Sequence, residues 1–226
     1  MLTREKYNLL LEAIEPYMCA DSYGKHTIGN IYYDTDTYEL IRHSIEKPKY
    51  KEKLRLRSYG IPMEDSKVYL EIKKKYDGVV YKRRISLTLA EAEAYLNEGM
   101  KPQKDSQILR EIDYFISFYK PEAKLYLAYD RIAYFGREDP EVRITLDHNI
   151  RSREEVLSLG AGDQGTPLLE DDQYLMEIKV PGAMPIWLSG ILADLEIYPT
   201  SFSKYGNIYK KSILPNRRKE LCLQVY

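Results

Sequence analysis

The sequence encodes an α+β chain in which antiparallel strands outnumber helices. Three observations lead there. Six segments alternate charged and apolar residues with a period of two, and Asp77–Gly78 between two of them favours a two-residue hairpin turn. Helical segments with capping signals are interspersed among these strands. No stretch reads as a linker, so residues 1–226 are expected to form a single domain.

Thr3 to Tyr17 reads as a helix: Thr3 can cap it, Glu5 suits the first turn, and Leu9, Leu10, Ala13, Ile14 and Tyr17 share a face. Thr27 to Thr35 is β-branched and aromatic, as strands are. Tyr38 to Glu46 suits a short helix ended near Pro48. Tyr50–Tyr59, Lys67–Tyr76 and Val79–Leu87 are three successive strands. Thr88 with Glu91 forms a capping box for a helix ending near Gly99, and Ser106 to Tyr119 is amphipathic. Lys124–Phe135, Glu141–Ile150 and Tyr174–Val180 are further strands. Pro185 to Leu195 and Lys204 to Ile213 complete the helices, with Pro185 acceptable at the first helical position.

Composition excludes several functions. The 34 Lys+Arg balance 35 Asp+Glu, which argues against a basic nucleic-acid coat, so no nucleic acid is expected as a partner. Cys19 and Cys222 lie at opposite ends, without metal-type spacing, and provide no disulfide framework. A reducing, cytoplasmic location is the expectation. His26, His43 and His148 are scattered, which excludes a His-built zinc site. No apolar run approaches the ~18–20 residues needed to cross a bilayer, so no membrane segment is expected.

The distribution of charge carries the functional argument. Lys51, Lys53, Arg55 and Arg57 fall on one face of their strand, Glu71, Lys73 and Lys75 on one face of the next, and Lys82 and Arg84 on one face of the third. Tyr129 aligns with Arg131, Arg143 with Thr145 and Asp147, and Glu177 with Lys179. A sheet with one solvated face would also alternate, but it would mix signs, because like charges opposed across strands are unfavourable. Here the acids sit mainly on helices and loops, at Glu12, Glu15, Glu91, Glu93, Glu98 and Asp171–Asp172. If the sheet closes with the charged faces inward, it forms a cationic tunnel suited to a polyanion with regularly spaced charges. Arg can hold phosphoryl oxygens in a bidentate way and Lys acts as a point charge. Glu71 and Glu177 each precede a lysine by two residues, which suits either a divalent ion bridging protein and phosphate or a cross-strand ion pair.

These residues resemble a known family. Asn30–Asp34 (NIYYD), Lys53–Gly60 (KLRLRSYG), Tyr69–Lys75 (YLEIKKK), Tyr81–Ile85 (YKRRI), Tyr129–Arg131 (YDR), Arg143–Asp147 (RITLD), Met176–Lys179 (MEIK) and Ser201–Tyr205 (SFSKY) are similar, in order, to the VTC (vacuolar transporter chaperone) domain. That domain belongs to the triphosphate tunnel metalloenzymes, with the CYTH phosphatases. The resemblance implies an antiparallel β-barrel tunnel with helices packed outside. It also implies a polyphosphate polymerase-like activity in which a nucleoside triphosphate such as ATP donates its terminal phosphoryl group to polyphosphate, with Mn²⁺ or Mg²⁺. By the same resemblance Arg42, Arg55, Arg57, Lys73, Lys82, Arg84, Arg131, Arg143, Lys179 and Lys204 hold phosphates, and Tyr129 and Ser203 add hydrogen bonds. Glu177 is implied as the main metal ligand and Glu71 as a second. Family members usually open with a strand of Arg–x–Glu–x–Lys type. Here a helix follows Met1 almost at once, so that strand's contacts are expected to be missing and an open sheet edge to invite another chain.

Phosphoryl transfer needs positioning and charge neutralisation rather than a protein nucleophile, and neither cysteine lies in a matching motif. Two alternatives to the polymerase stay open: a metal-dependent triphosphatase (inorganic, nucleoside or thiamine triphosphate), and a non-catalytic polyphosphate-binding module. Gly160 to Gly165 satisfies G-x-G-x-x-G but precedes Thr166–Pro167 rather than a helix, so it reads as a flexible loop, not a dinucleotide site. Asn216–Arg217–Arg218–Lys219 reads as a solvated basic tail.

Overall fold

A computed structural model describes residues 1–103 and 105–217. Arg218, Lys219 and Cys222 lie outside the described residues. In chain order the elements are β1 (Leu2–Thr3), α1 (Arg4–Ile14), β2 (Met18–Ala20), β3 (His26–Asp34), α2 (Glu39–Glu46), β4 (Tyr50–Tyr59), β5 (Lys67–Tyr76), β6 (Val79–Thr88), α3 (Leu89–Glu98) and α4 (Gln107–Tyr119). Then come β7 (Glu122–Gly136), β8 (Arg143–Arg153), β9 (Thr166–Pro167), β10 (Gln173–Lys179), α5 (Ile186–Asp194) and α6 (Lys204–Ile208), which runs into a π-helical turn at Tyr209–Ile213. None of the described helices is long and apolar enough to cross a membrane.

The chain divides into two compact units, with β3, β7 and β8 contributing residues to both. One unit comprises Met1–Ile28, Ala128–Arg151 and Thr166–Ser201. Its strands pair in the order β1-β10-β8-β7, with β2 on β7 and β9 on β8. In the antiparallel β8–β10 pair Glu177 stands opposite Thr145 and Lys179 opposite Arg143. The intervening residues Val142, Ile144, Leu146, Met176, Ile178 and Val180 therefore point the other way, onto Leu10 and Ile14 of α1 and Leu188 of α5. Tyr17 stacks on Trp187 at 4.4 Å and Tyr7 on Tyr174 at 4.0 Å.

Thr3 caps α1 as expected, but the helix stops at Ile14 rather than Tyr17. Pro16 has no N–H to continue the hydrogen-bond ladder, so the helix ends although Glu15 itself still has helical dihedrals. The freed residues Met18–Ala20 become β2, with Cys19 opposite Phe135. Pro185 occupies the cap of α5, one position earlier than the sequence pattern suggested.

The other unit comprises Gly29–Leu127, Ser152–Gly165 and the chain from Phe202 onward. Its strands pair in the order β7-β3-β4-β5-β6. Asp77 (φ 44°) and Gly78 (φ 87°) both lie in the left-handed region, as the tight turn between β5 and β6 demands. Leu54, Leu56, Val68, Leu70, Ile72 and Leu87 line the apolar side of β4–β6 and are all buried. The Thr88–Glu91 capping box starts α3 and Ser106 caps α4. No side chain at Tyr38 caps α2. Instead the Asp34 carboxylate at the end of β3 accepts the N–H groups of Leu40 (2.9 Å) and Ile41 (3.0 Å), and Thr35 Oγ1 accepts that of Glu39 (2.9 Å).

Candidate functional site

The polar face of β4, β5 and β6 is built by register. Lys51 stands opposite Lys75; Lys53, Lys73 and Lys82 form one cross-strand row; Arg55, Glu71 and Arg84 form the next; Arg57 faces Tyr69. Eight cations (Lys51, Lys53, Arg55, Arg57, Lys73, Lys75, Lys82, Arg84) thus share this face with one carboxylate. Lysines directly opposed across strands repel, and the cost rises when they are half-buried. Burial, reinforced by Lys75, Lys73 and Lys47, pulls the Lys51 amine below its usual range. Burial likewise lowers Lys53, with Lys51, Lys73 and Arg55 adding to it against the phenol of Tyr32.

Glu71 sits at the centre of this charge, 2% exposed. Its Oε2 accepts from Arg55 Nε at 2.8 Å and lies 2.7 Å from an Arg55 Nη; its Oε1 lies 3.1 Å from Lys82 Nζ and 3.8 Å from Arg57 Nη1. Burial would raise this carboxyl, but Arg55, Arg57 and Lys82 outweigh it and hold the group down at about 2.

Two residues of β3 orient the arginines. The Asn30 amide oxygen accepts from Arg57 Nε at 3.0 Å while its amide nitrogen donates to the Leu127 carbonyl at 3.2 Å. The Tyr32 hydroxyl accepts from Arg55 Nη1 at 3.2 Å. Burial would raise the Tyr32 phenol, yet Arg55 and Lys53 bring it below its ordinary value. On β6 the Arg84 guanidinium lies over the Tyr69 ring, 4.7 Å from its centroid.

The remaining expected residues of this unit lie elsewhere on it. Arg42 is exposed on α2. Ser203 Oγ accepts the Gly206 N–H at 3.2 Å and so caps α6, whose first residue is Lys204. Tyr205 next to it donates its hydroxyl to Asp34 Oδ2 at 3.1 Å. The glycine-rich segment Gly160 to Gly165 is organised rather than loose. Arg153 stacks on Tyr126 at 3.6 Å and donates to the carbonyls of Val156, Ser158, Gly162 and Gln164 at 2.8–3.1 Å. Its carbonyls enclose a cation, the reverse of the N–H cradle an anion needs.

In the other unit, β7, β8 and β10 carry a second polar face. Arg131 donates from Nε and Nη2 to the two Asp147 oxygens at 2.6 and 2.8 Å, and lies 5.1 Å from the Tyr129 ring centroid. Burial would lower this guanidinium, but the bonds to Asp147, with Tyr129 and Glu177, raise it above its ordinary value. Asp147 is fully buried and Tyr129 nearly so. Arg143, Glu177 and Lys179 are exposed along the same face, next to Thr145. Thr145 Oγ1 is buried without a hydrogen-bond partner.

The carboxylates decide which residues could hold a divalent ion. No three His, Cys, Asp or Glu side chains gather among the described residues, so these offer no metal cage. Mg²⁺ binds through one or two carboxylates, with waters and substrate phosphates supplying the rest, and Mn²⁺ likewise favours six oxygens. Glu177, exposed and facing the orphaned Thr145 hydroxyl, fits that donor set. Glu71 does not, because three cations within 4 Å already surround it and would repel a dication.

The sequence pattern assigned the cationic faces but not their supports. Asn30, Tyr32 and Asp34 alternate along a strand buried from Ile28 to Asp34; they lie in the matching NIYYD segment, but nothing in that segment marked them as supports of the cations. The sequence model of the VTC domain family matches residues 1–213. A comparison with curated proteins finds no match. A candidate adenylate cyclase of Bacillus halodurans superposes with a TM-score of 0.57 at 17% identity, over 94% of this chain and 94% of its own. A candidate adenylyl cyclase of Hippeastrum, reported to have a dominant triphosphatase activity, gives a TM-score of 0.53 at 17% identity, over 93% of this chain and 91% of its own. At such identity the likeness speaks to architecture: the fold is α+β and antiparallel, as in these two proteins.

Proposed function

The chain belongs to the VTC domain family, and from that premise we propose that it is a polyphosphate polymerase-like phosphotransferase, with residues 1–226 acting as one functional domain. The observation that carries this reading is the register of β4, β5 and β6, which sets eight cations on one face around a single carboxylate. A row of like charges repels itself when empty, and a multivalent anion such as a phosphate chain relieves that repulsion.

In this reading Arg55, Arg57, Lys73, Lys82 and Arg84 hold phosphoryl oxygens, and Asn30 and Tyr32 keep the two β4 arginines aimed. Arg131, Arg143, Lys179, Lys204 and Arg42 are further phosphate contacts, and Tyr129 and Ser203 further hydrogen-bonding groups. Mg²⁺ or Mn²⁺ held by Glu177 would neutralise charge on the transferred group. No side chain needs to become covalently bound. An oxygen of the terminal phosphate of polyphosphate attacks the γ-phosphorus of ATP, the bond to the β–γ bridging oxygen breaks, and the nucleoside diphosphate leaves.

A triphosphatase is the second reading, in which water replaces the polyphosphate end; the Hippeastrum protein of the same fold and dominant triphosphatase activity favours it. Incubation with ATP and Mn²⁺, followed by a polyphosphate gel beside a phosphate-release assay, separates the readings. Chain growth supports the polymerase, phosphate release alone the triphosphatase. Tight binding of polyphosphate with neither product leaves a binding module.

A further inference from the structure

We propose that Glu71 is a built-in counter-ion: it holds Arg55, Arg57 and Lys82 in place when no phosphate is bound, and it weakens the grip on phosphate when one is. This assigns it a positioning role in place of a metal-binding one, and it rests on the proposed anion-binding function of the face. The carboxylate is buried at mid-strand, its Oε2 engaged by two nitrogens of Arg55 and its Oε1 3.1 Å from Lys82 Nζ and 3.8 Å from Arg57 Nη1. One negative charge cannot neutralise three positive ones, so the cluster keeps an excess of two. That excess attracts a polyanion, while Glu71 keeps the cations from repelling one another out of alignment. The same carboxylate stands among the groups that would meet a phosphoryl oxygen, and two anions so placed repel. A chain of phosphates must leave or advance as well as bind, and a fixed internal anion lowers the cost of letting go.

The substitution Glu71→Gln keeps the shape and an acceptor for Arg55 but removes the charge. Titration with tripolyphosphate in EDTA should show binding tighter than wild type by on the order of tenfold. Without anion the variant should melt lower than wild type, and added NaCl should narrow the gap, since screening relieves cation–cation repulsion. Glu71→Asp should return both properties toward wild type. Unchanged or weaker tripolyphosphate binding by Glu71→Gln, or a difference seen only with Mg²⁺ present, would overturn the proposal. If wild type itself fails to bind tripolyphosphate, the anion-binding function falls. The salt dependence of the melting gap then still decides the counter-ion: a gap that NaCl leaves unchanged refutes it.

Discussion

Tyr205 and Asp34 stand 171 residues apart in the chain, and the tyrosine hydroxyl donates to the carboxylate at 3.1 Å. The same carboxylate accepts the N–H groups of Thr35, Leu40 and Ile41 and is fully buried. One side chain therefore closes β3, starts α2 and anchors the segment that carries Ser203 and Lys204. Tyr205→Phe should cost about 1–2 kcal/mol by leaving an acceptor short of its donor. Asp34→Ala, which strips the first turn of α2 as well, should cost about 3 kcal/mol or more. Urea midpoints check the order, and a Tyr205→Phe protein as stable as wild type would contradict it.

Acid should act through Glu71. Its folded carboxyl sits near 2 against an ordinary 4.5, so between those values the unfolded chain binds more protons than the folded one. The stability it contributes is complete above pH 4.5 and lost as pH falls toward 2, amounting to roughly 3 kcal/mol. Denaturation curves for wild type and Glu71→Gln should differ in slope against pH inside that window and run parallel above it.

Arg131→Ala removes two charge-assisted hydrogen bonds from a fully buried Asp147 and should destabilise by about 3–5 kcal/mol. Adding Asp147→Asn should recover part of the loss, the signature of a coupled pair. A double variant no better than the sum of its parts would mean that Asp147 finds another partner. Any loss of turnover in Arg131→Ala has to be compared with this loss of stability before it is assigned to phosphate binding.

Glu177 is exposed, so Glu177→Gln should leave the melting temperature within about a degree or two while abolishing Mn²⁺-dependent turnover. Turnover that persists would move the metal to another carboxylate. Thr145→Val, which removes the orphaned hydroxyl opposite it, should spare or even raise stability and lower turnover.

Tripolyphosphate at a hundredfold over its dissociation constant should stabilise the protein by about 2.7 kcal/mol, a rise of about 5–10 °C in Tm. Arg55→Ala should shrink the rise. An equal rise in that variant would place the anion away from β4.

The faces of β4, β5 and β6 were legible because three strands of strict period two flank a turn dipeptide whose geometry fixes register. Lys73 and Lys82 had to stand opposite each other once Asp77–Gly78 closed the hairpin, whereas the place of Lys53 in their row depends on the β4–β5 register. Glu71 was legible as an inward acid, but not the three cations around it, since ion pairing across strands depends on rotamers. Asp34 and Tyr205 each lie in a matching motif, yet nothing local says that residues so distant in sequence meet. β1, β2 and β9 escaped because two or three residues hold too little of a repeat. The Gly160–Gly165 segment is a loop, as its sequence suggested, but its ties to Arg153 were not legible because that residue lies outside the motif.

The Asp77–Gly78 turn leaves no slack in chain length. Inserting or deleting a single residue anywhere between Lys67 and Thr88 would rotate every side chain beyond it by half a turn, putting lysine where leucine and isoleucine now pack and greasy groups where ligand would bind. Natural relatives of this protein should therefore vary this hairpin by residue type and almost never by indel, and an engineer wishing to lengthen it should add residues in pairs.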